Sequence, residues 1–306
     1  MKWEKLGLVC TADRFGVDVP TRVMVPTPVF VNEDTIRVFV TVCDKDNIGR
    51  PYYVDVDARD PRKVLRLSER PVMDVGTAPS FDEHGVVVAQ VLKTRDGKLQ
   101  MYYSGFERFR DVRYKIFTGL ATSSNNGESF QRVKTTPILG GSDYESTFRC
   151  APFVIEFEDR FSMWYVAGSS WETIRGKQVP RYSLKYLESP DGIEWPVEGR
   201  SCMELQHDEH GFGRPWIEID EHGTYHLYYS IRVCSLAAYR LGYATSEDGL
   251  NWVRKDAEMG LEPTPGSFDS NGLSYSAIIE AHGSTYCFYN GNDFGREGFA
   301  VSKLIK

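Results

Sequence analysis

The fold is decided by the stretch Met101-Tyr102-Tyr103-Ser104, in which an apolar and aromatic core is followed by a small or polar residue. Four other segments have the same form, and they are Val38-Phe39-Val40-Thr41, Met163-Trp164-Tyr165-Val166, Leu227-Tyr228-Tyr229-Ser230 and Cys287-Phe288-Tyr289-Asn290. The second residues of these segments recur every 60 to 64 positions along the chain. A nearly constant period indicates a repeat architecture.

Each aromatic segment has the same surroundings. An apolar strand precedes it, another follows after a loop, and a turn then leads to a short fourth strand. Four antiparallel strands per repeat are typical of a propeller blade. The sequence therefore predicts an all-β, single five-bladed β-propeller with four antiparallel strands per blade, in which residues 1–306 form one domain. The predicted blades lie near residues 24–70, 80–137, 146–203, 212–258 and 270–306 plus 1–9.

The turn before the fourth strand is conspicuous in three repeats, at residues 124–130, 189–195 and 246–252. Each begins with Ser, contains Asn-Gly or Asp-Gly, and has an aromatic residue three positions after the Gly. Asn-Gly and Asp-Gly supply the positive φ of a tight hairpin, and the aromatic ring can pack over the turn. We interpret these carboxylates as turn residues.

The last repeat ends after its third strand, at residues 298–304, so its fourth strand must come from elsewhere. Residues 3–8 resemble the segments that follow the turns at Trp195 and Trp252. Pairing between this N-terminal strand and the terminal strand removes two exposed sheet edges. The sequence therefore predicts a ring that is closed by the N-terminal strand.

The composition, with 41% hydrophobic and 26% charged residues, is that of a globular protein. The net charge of −7 argues against a nucleic acid or a membrane surface as partner. The N-terminus has no apolar leader and no run is long enough to span a membrane, so we predict a cytoplasmic protein. Six scattered cysteines and the separated histidines give no ligand motif, so neither a metal nor another cofactor is predicted.

One end of the propeller carries the segments that are rich in acids, arginines and aromatics, whereas the other end carries the Asp-Gly turns. Functional sites are usually built from loops at one face of a rigid scaffold. The predicted catalytic acids and bases at this end are Asp82, Glu83, His84, Glu145, Asp269 and Asp293. Asp269 is the strongest candidate for proton transfer. For residues 81–85 a turn whose acids cap backbone amides is the alternative.

The predicted substrate-binding residues are Arg108, Arg149, Trp171, Arg214, Arg232, Tyr275, Asn292 and Arg296. Arg149 and Arg214 are predicted to occupy equivalent positions at the starts of inner strands, where the guanidinium fork suits carboxylate or phosphate. The alternative is a salt bridge to Glu145 or Glu218, and both roles can coexist. Aromatic side chains such as Trp171 can stack against a sugar ring.

These turns and strands resemble those of the five-bladed propeller glycosidases, which include arabinanase/xylosidase-like and invertase-like enzymes and glycoside phosphorylases. The resemblance covers essentially the whole chain. It is closer to glycosidase-like proteins of bacterial surface-polysaccharide biosynthesis, through Asp82-Glu83-His84-Gly85, Asp269-Ser270 and the segment 289–296.

The resemblance implies an Asp base on the first inner strand, a second Asp that tunes its pKa, and a Glu acid. Here Thr27 stands where the first Asp is expected, and Arg149-Cys150-Ala151-Pro152-Phe153 lacks the acid of the invertase-like pattern. The family triad therefore does not carry over. A different pair of carboxylates could still serve, because the chemistry requires only their spacing and opposed pKa shifts.

Three functions follow from these observations. The first is a glycoside hydrolase-like enzyme acting on a glycan or an activated anionic sugar, such as a nucleotide sugar, in bacterial polysaccharide metabolism. The second is a non-catalytic carbohydrate-binding propeller that has lost the glycosidase triad. The third, a protein-interaction propeller, ranks last because it requires a broad apolar rim and the predicted mouth is polar.

Overall fold

A computed structural model describes residues 1–110, 113–236 and 238–305 of the chain. Residues 111–112, 237 and 306, which belong to the predicted domain, lie outside the described residues. The structure is all-β, as predicted. Its helical segments in the described ranges are three 3-10 turns at Ala12–Arg14, Asp256–Glu258 and Asn292–Phe294.

The strands follow one another in short antiparallel runs. The first two runs, after the N-terminal strand β1 (Trp3–Cys10), are β2 (Arg22–Asn32), β3 (Thr35–Cys43), β4 (Gly49–Asp57) and β5 (Val64–Leu67), then β6 (Val86–Lys93), β7 (Leu99–Glu107), β8 (Lys115–Ser123) and β9 (Gln131–Arg132). The third run is β10 (Phe148–Glu156), β11 (Phe161–Ile174), β12 (Lys177–Ser189) and β13 (Arg200–Met203).

The remaining strands complete the molecule. They are β14 (Glu209–Phe212), β15 (Trp216–Ile219), β16 (Tyr225–Val233), β17 (Tyr239–Ser246) and β18 (Val253–Arg254), followed by β19 (Ser274–Ala281), β20 (Ser284–Asn290) and β21 (Phe299–Leu304). No helix among the described residues is long and apolar enough to cross a membrane.

Hydrogen bonding joins these strands into three sheets. β2 to β5 form a four-stranded sheet, β19 to β21 form another with β1, and the other 13 strands form a single sheet. Short parallel contacts create the large sheet, because β8 touches β10 at Phe148 and Arg149, and β12 touches β14 at Tyr182. The sheet count therefore does not itself give five blades, and the blade number remains a prediction.

The N-terminal strand pairs with the last strand, as predicted. β1 runs antiparallel to β21 from Trp3, opposite Leu304, to Cys10, opposite Phe299. The Trp3 indole also donates a 2.8 Å hydrogen bond to the carbonyl oxygen of Met259. Strand pairing therefore attaches the N-terminal strand to β21, and the Trp3 indole attaches it to the segment that precedes β19.

The core is built on the aromatic segments, which lie in the second strand of each run. Their marker residues Phe39, Tyr102, Trp164, Tyr228 and Phe288 are all buried. Tyr102 packs in one cluster with Val154 and Met163 of the next run, so the hydrophobic core lies between consecutive runs. Close packing of large rings between sheets gives the repeat its regular spacing.

The Asp-Gly turns bind to these aromatic residues, which confirms their structural role. The Trp164 indole donates to the carbonyl oxygen of Gly249 at 2.7 Å, and the Tyr102 hydroxyl donates to that of Gly192 at 3.1 Å. Both glycines have positive φ, and an added Cβ at Gly192 would lie 2.8 Å from the Tyr102 hydroxyl oxygen. The carboxylate of Asp191 accepts the backbone N–H groups of the turn.

Candidate functional site

A small cavity lies where the inner strands come together. The residues that pair with the five aromatic markers are Thr27, Gln90, Phe153, Trp216 and Ala277. The residues two positions before them are Val25, Val88, Ala151, Arg214 and Tyr275, and all five line one cavity of about 110 Å³. Each of five inner strand segments therefore contributes the same register position to this cavity.

The inner strands bulge at this position. Val25, Ala151 and Tyr275 have positive φ values of 57°, 50° and 59°, which β-branched and bulky residues rarely adopt. The register with the neighbouring strand shifts at the same places. A bulge redirects the side chains next to it, and it occurs frequently beside active sites.

In four of the five aromatic segments, the polar last residue accepts a hydrogen bond from the backbone of the bulge in the neighbouring inner strand. Oxygen atoms of Asn290, Thr41, Ser104 and Ser230 accept the backbone N–H groups of Val25, Val88, Ala151 and Tyr275 at 2.7 to 3.0 Å. The third segment instead ends in the apolar Val166. The inner segment that follows it is interrupted between β14 and β15, at Arg214. The polar residue at the end of an aromatic segment is therefore a sequence signal for the site, and it is absent from the predicted site residues.

The cavity opens into a wider mouth of about 510 Å³. Six residues line both spaces, and they are Met24, Val87, Phe106, Tyr114, Arg232 and Tyr275. The two spaces therefore form one funnel, which is narrow and mainly apolar at depth and polar at its entrance.

Arg214 closes the floor of the funnel. Its guanidinium donates hydrogen bonds to the Thr27 hydroxyl at 2.9 Å and to backbone carbonyls of β2, β6 and β19, including that of Tyr275 at 2.8 Å. The side chain is 1% exposed and has no carboxylate partner among the described residues. Burial lowers the pKa of Arg214 to about 9, so the group is charged at neutral pH.

Two expectations about Arg214 are wrong. It forms no salt bridge with Glu218, whose carboxylate instead accepts a 2.7 Å hydrogen bond from the Trp216 indole. It is also not equivalent to Arg149, because the pairing of Phe153 with Trp164 and of Trp216 with Tyr228 places Ala151 at the position of Arg214. Consecutive runs differ by two residues in the link before the inner strand, which the sequence spacing alone did not reveal.

Arg232 lies in the funnel wall, at the junction of cavity and mouth. Its guanidinium contacts the Tyr239 hydroxyl and lies 5.4 Å above the ring of Tyr182 and 5.0 Å from that of Tyr239. Burial raises the pKa of Tyr182 and of Tyr275 well above the usual value, so these phenols stay neutral. In the described part of the chain no carboxylate forms a salt bridge with Arg232.

The mouth carries further cations. Arg108 donates to the carbonyl oxygens of Asp46 and Asn47 at 2.9 and 3.0 Å, and Arg22 donates to the Asp293 carbonyl at 3.0 Å. His84 also lines the mouth, and its Nδ1 lies 3.4 Å from a Glu83 carboxylate oxygen. Arg22 was missed in the sequence, although its position at the start of an inner strand follows the rule that selected Arg149.

Three of the predicted catalytic acids are located elsewhere, each next to a buried tyrosine that directly follows an aromatic marker. The hydroxyls of Tyr103, Tyr165 and Tyr289 lie 3.1, 2.7 and 3.4 Å from carboxylate oxygens of Asp82, Glu145 and Asp269. All three acids are fully buried, and none lines the cavity or the mouth.

A cation neutralises each of these acids. Arg132 lies 2.7 Å from Asp82, and the Lys5 ammonium lies 2.5 Å from Asp269. Glu145 has two partners, at 2.6 Å to the Arg149 guanidinium and 2.8 Å to the Lys185 ammonium. The salt-bridge alternative for Arg149 is thus confirmed, and its other donors bind the carbonyls of Gly140 and Pro196.

The remaining predicted residues lie around the funnel. Trp171 packs its ring 5.2 Å from that of Tyr114, which lines the mouth. Asp293 and Arg296 form an exposed salt bridge of 2.6 Å with each other, and Asn292 accepts the backbone N–H of Asn271 at 2.7 Å. The structure therefore brings Arg214, Arg232, Tyr275, Arg108 and His84 together at one funnel and separates Asp82, Glu145 and Asp269 from it.

The chemistry that this arrangement can support follows from its charges. Among the described residues that line cavity and mouth, Asp46 is the one carboxylate. Hydrolysis by two carboxylates requires a pair at a defined separation on either side of the glycosidic bond. No group of three or more His, Cys, Asp or Glu in the described residues is arranged to hold a metal ion. The funnel is instead suited to an anion with an aromatic-contacting body.

The chain has the all-β fold that glycoside hydrolase structures have. It superposes on a structure named glycoside hydrolase with a TM-score of 0.77 and 18% identity, covering 99% of this chain and 91% of the other. A thermostable family-43 glycoside hydrolase gives a TM-score of 0.70 and 16% identity over 95% and 92% of the two chains.

In sequence, the chain is similar to the uncharacterized protein Rv1502 of Mycobacterium tuberculosis strain H37Rv. The two are 27% identical over 305 residues, which is 99% of each chain. No protein-family model matches the chain.

Proposed function

We propose that this protein binds an anionic sugar in the central funnel of a single five-bladed β-propeller formed by residues 1–306 and closed by the N-terminal strand. The five inner segments that contribute one register position each to the cavity support the blade number. The pairing of β1 with β21 supports the closure.

The observation that carries the proposal is the guanidinium of Arg232 between cavity and mouth, which forms no salt bridge with any residue that the structure describes. A buried or half-buried cation without a carboxylate partner is unfavourable, and an anionic ligand supplies the missing charge. The surrounding tyrosine rings offer flat apolar faces of the kind that stack on sugar rings. An anionic sugar combines both features in one molecule.

Binding without hydrolysis is the form of this function that the geometry favours. The acids Asp82, Glu145 and Asp269 are engaged by Arg, Lys and Tyr side chains away from the funnel. The carbohydrate-binding propeller that has lost the glycosidase triad is therefore our first choice over a hydrolase-like enzyme.

An enzyme is the second candidate, and His84 is the observation that favours it. Its imidazole lines the mouth beside Glu83, and histidine is the side chain whose ordinary pKa suits proton transfer near neutral pH. In that case His84 would act on the ligand that Arg232 holds, and Asp46 would be the nearby carboxylate in the mouth lining.

The setting that we propose is bacterial polysaccharide metabolism in the cytoplasm. Solved structures of similar fold are named as glycoside hydrolases. The resemblance of the sequence to glycosidases favours the same setting. All six cysteines are free thiols, which suits a reducing compartment.

A ligand panel measured by thermal shift tests this proposal. The panel contains neutral oligosaccharides, uronic acids, sugar phosphates and UDP-glucose, and we expect stabilisation by anionic sugars that is lost in Arg232→Gln. Stabilisation by neutral oligosaccharides alone would overturn the proposal. Turnover of a bound ligand that disappears in His84→Asn, with binding retained, would select the enzyme over the binding protein.

A further inference from the structure

Two cations line the same deep cavity. Arg214 forms its floor and Arg232 part of its wall, and among the described residues neither forms a salt bridge. The Nε–H of Arg214 is buried and also lacks a hydrogen-bond acceptor. Every other buried arginine that the structure describes, Arg37 and Arg149, lies against a carboxylate.

The charge of the cavity identifies the ligand group that it suits. The described lining of the cavity holds two positive charges and no acid, and such a lining is matched by a dianion rather than by a monoanion. A carboxylate carries one negative charge, whereas a phosphomonoester carries between about 1.5 and 2 negative charges near pH 7 and offers three acceptor oxygens. Guanidinium groups bind phosphate oxygens with charge-assisted hydrogen bonds, and in Arg214 the Nε–H is the donor that the described residues leave without an acceptor.

The size of the two spaces sets the orientation. The cavity of about 110 Å³ is well below the roughly 300–1,000 Å³ of sites that enclose a whole small-molecule ligand, whereas the mouth of about 510 Å³ is within that range. The cavity accommodates one small group, and the body of the ligand remains in the mouth against Phe106 and Tyr114.

We propose that the ligand is a sugar phosphomonoester whose phosphoryl group enters the cavity towards Arg232 and Arg214 while its sugar ring lies in the mouth. This inference rests on the proposed function, namely that the funnel binds an anionic sugar. It adds the identity of the anionic group and the direction in which the ligand enters.

Isothermal titration at pH 7.5 tests the charge requirement. The probes are glucose 1-phosphate, galactose 1-phosphate, mannose 1-phosphate, glucose 6-phosphate, glucose 6-sulfate, glucuronic acid and UDP-glucose. A sulfate ester has the tetrahedral shape of a phosphate ester but one charge fewer. We expect at least one sugar phosphate to bind roughly 10-fold or more tightly than glucose 6-sulfate and glucuronic acid, because the second negative charge of the phosphate strengthens its charge-assisted hydrogen bonds to the two guanidinium groups.

The outcomes separate the two proposals. Equal or tighter binding of glucose 6-sulfate, glucuronic acid or UDP-glucose would overturn the phosphomonoester while an anionic-sugar site stands. Binding of none of the anionic probes would overturn both proposals.

Variants test the two arginines. Arg232→Gln keeps hydrogen-bond donors and removes the charge, so we expect sugar phosphate binding to weaken by roughly 10- to 150-fold. Arg240→Gln is the matched control, because Arg240 likewise forms no salt bridge with a described residue, donates to the backbone carbonyls of Tyr239 and Asn271, and does not line the funnel. Unchanged binding by Arg232→Gln would overturn the inference.

Arg214→Lys should keep the preference for phosphate over sulfate, and Arg214→Gln should lose it. If Arg214→Gln does not fold, the phosphate-to-sulfate ratio of the unmodified protein and the Arg232 and Arg240 variants decide the question.

Discussion

The ion pairs between the strands and the cations of the funnel are two regions that treat buried charge in opposite ways. Between the strands, the buried acids Asp82, Glu145 and Asp269 each lie against a cation and a tyrosine hydroxyl. Glu145, for example, contacts Arg149, Lys185 and Tyr165. In the funnel, the hydrogen bonds that Arg214 and Arg232 make with described residues go to carbonyl and hydroxyl oxygens.

This difference separates structural charges from charges that are available to a ligand. A buried pair that is fully hydrogen-bonded is already neutral, and removing one member leaves an uncompensated charge. A funnel cation that has no counter-charge among the described residues can still attract an anionic ligand. The burial or the shifted pKa of a titratable group therefore indicates its role only when the groups that contact it are also known.

Deletion of residues 1–9 is the most severe test of the interstrand region. It removes the cation of Asp269, the indole of Trp3 and the partner strand of β21. We expect a loss of more than about 5 kcal/mol in the free energy of unfolding, since a buried pair and a buried Trp each contribute about 3–5 kcal/mol. Urea denaturation measures this, with Leu8→Ala as a control on the same strand. A truncated protein of unchanged stability would contradict the strand closure.

Glu145→Gln tests whether the buried acids are structural. Because Arg149 and Lys185 both lose their counter-charge, we expect a loss of about 3–5 kcal/mol in the free energy of unfolding. Glu188→Gln, at an exposed pair 3.1 Å from Arg160, should change it by less than about 1 kcal/mol. A Glu145→Gln protein that keeps its stability and loses turnover would instead restore Glu145 as a catalytic acid.

Glu218 is a partly buried acid that forms no salt bridge with a described residue, and it extends the comparison. Burial, opposed by the Trp216 hydrogen bond and helped by the charge of Glu280, raises its pKa to about 7. The folded state therefore binds the proton more tightly than the unfolded state, so this stabilising contribution is full below about pH 4.5 and is lost as the pH rises through 7.

Glu218→Gln mimics the protonated acid. We expect the variant to match the unmodified protein near pH 4.5 and to be more stable by up to about 3 kcal/mol at pH 8. Denaturation at both pH values measures the difference, and the exposed Glu221→Gln should show none. Equal stability at pH 8 would show that the Glu218 carboxylate is ionised without penalty.

Arg232→Gln has the smallest expected effect on the ligand-free protein. We expect a change within about 1 kcal/mol in the free energy of unfolding, because the substitution breaks no salt bridge among the described residues. Arg37→Gln is the comparison variant, because the Arg37 guanidinium makes two hydrogen bonds to Asp55, at 2.7 and 2.8 Å. For this variant we expect a loss of about 3–5 kcal/mol in the free energy of unfolding. Similar losses in both variants would remove the distinction between the two regions.

The features that could be predicted from the sequence are mainly those set by interactions between residues close together in the chain. The Asp-Gly turns, the aromatic second strands and the pairing of Trp3–Cys10 with Phe299–Leu304 follow from turn chemistry, alternation and edge protection within short segments. The same reasoning selected Arg232, Arg214, Tyr275, Arg108 and His84 for the mouth, and these do line the funnel.

It was weaker for the acids, because an acid's role depends on partners far away in the chain. Asp269 is neutralised by Lys5, 264 residues earlier, and Asp82 by Arg132, 50 residues later. No pattern in the neighbouring sequence indicates those pairings. Three acids at loop positions were therefore predicted to be catalytic, and the structure places them in buried salt bridges.

The all-β repeat and its aromatic core follow from the amino-acid sequence alone, because strand alternation and turn residues act over a few neighbouring positions. Which charges are neutralised follows from the tertiary structure, because that depends on side chains that meet across strands from distant parts of the chain. The segment from Met101 to Ser104 illustrates both: Tyr102 marks the repeat in sequence, whereas only packing shows that Tyr103 binds Asp82 and Ser104 holds the bulge at Ala151.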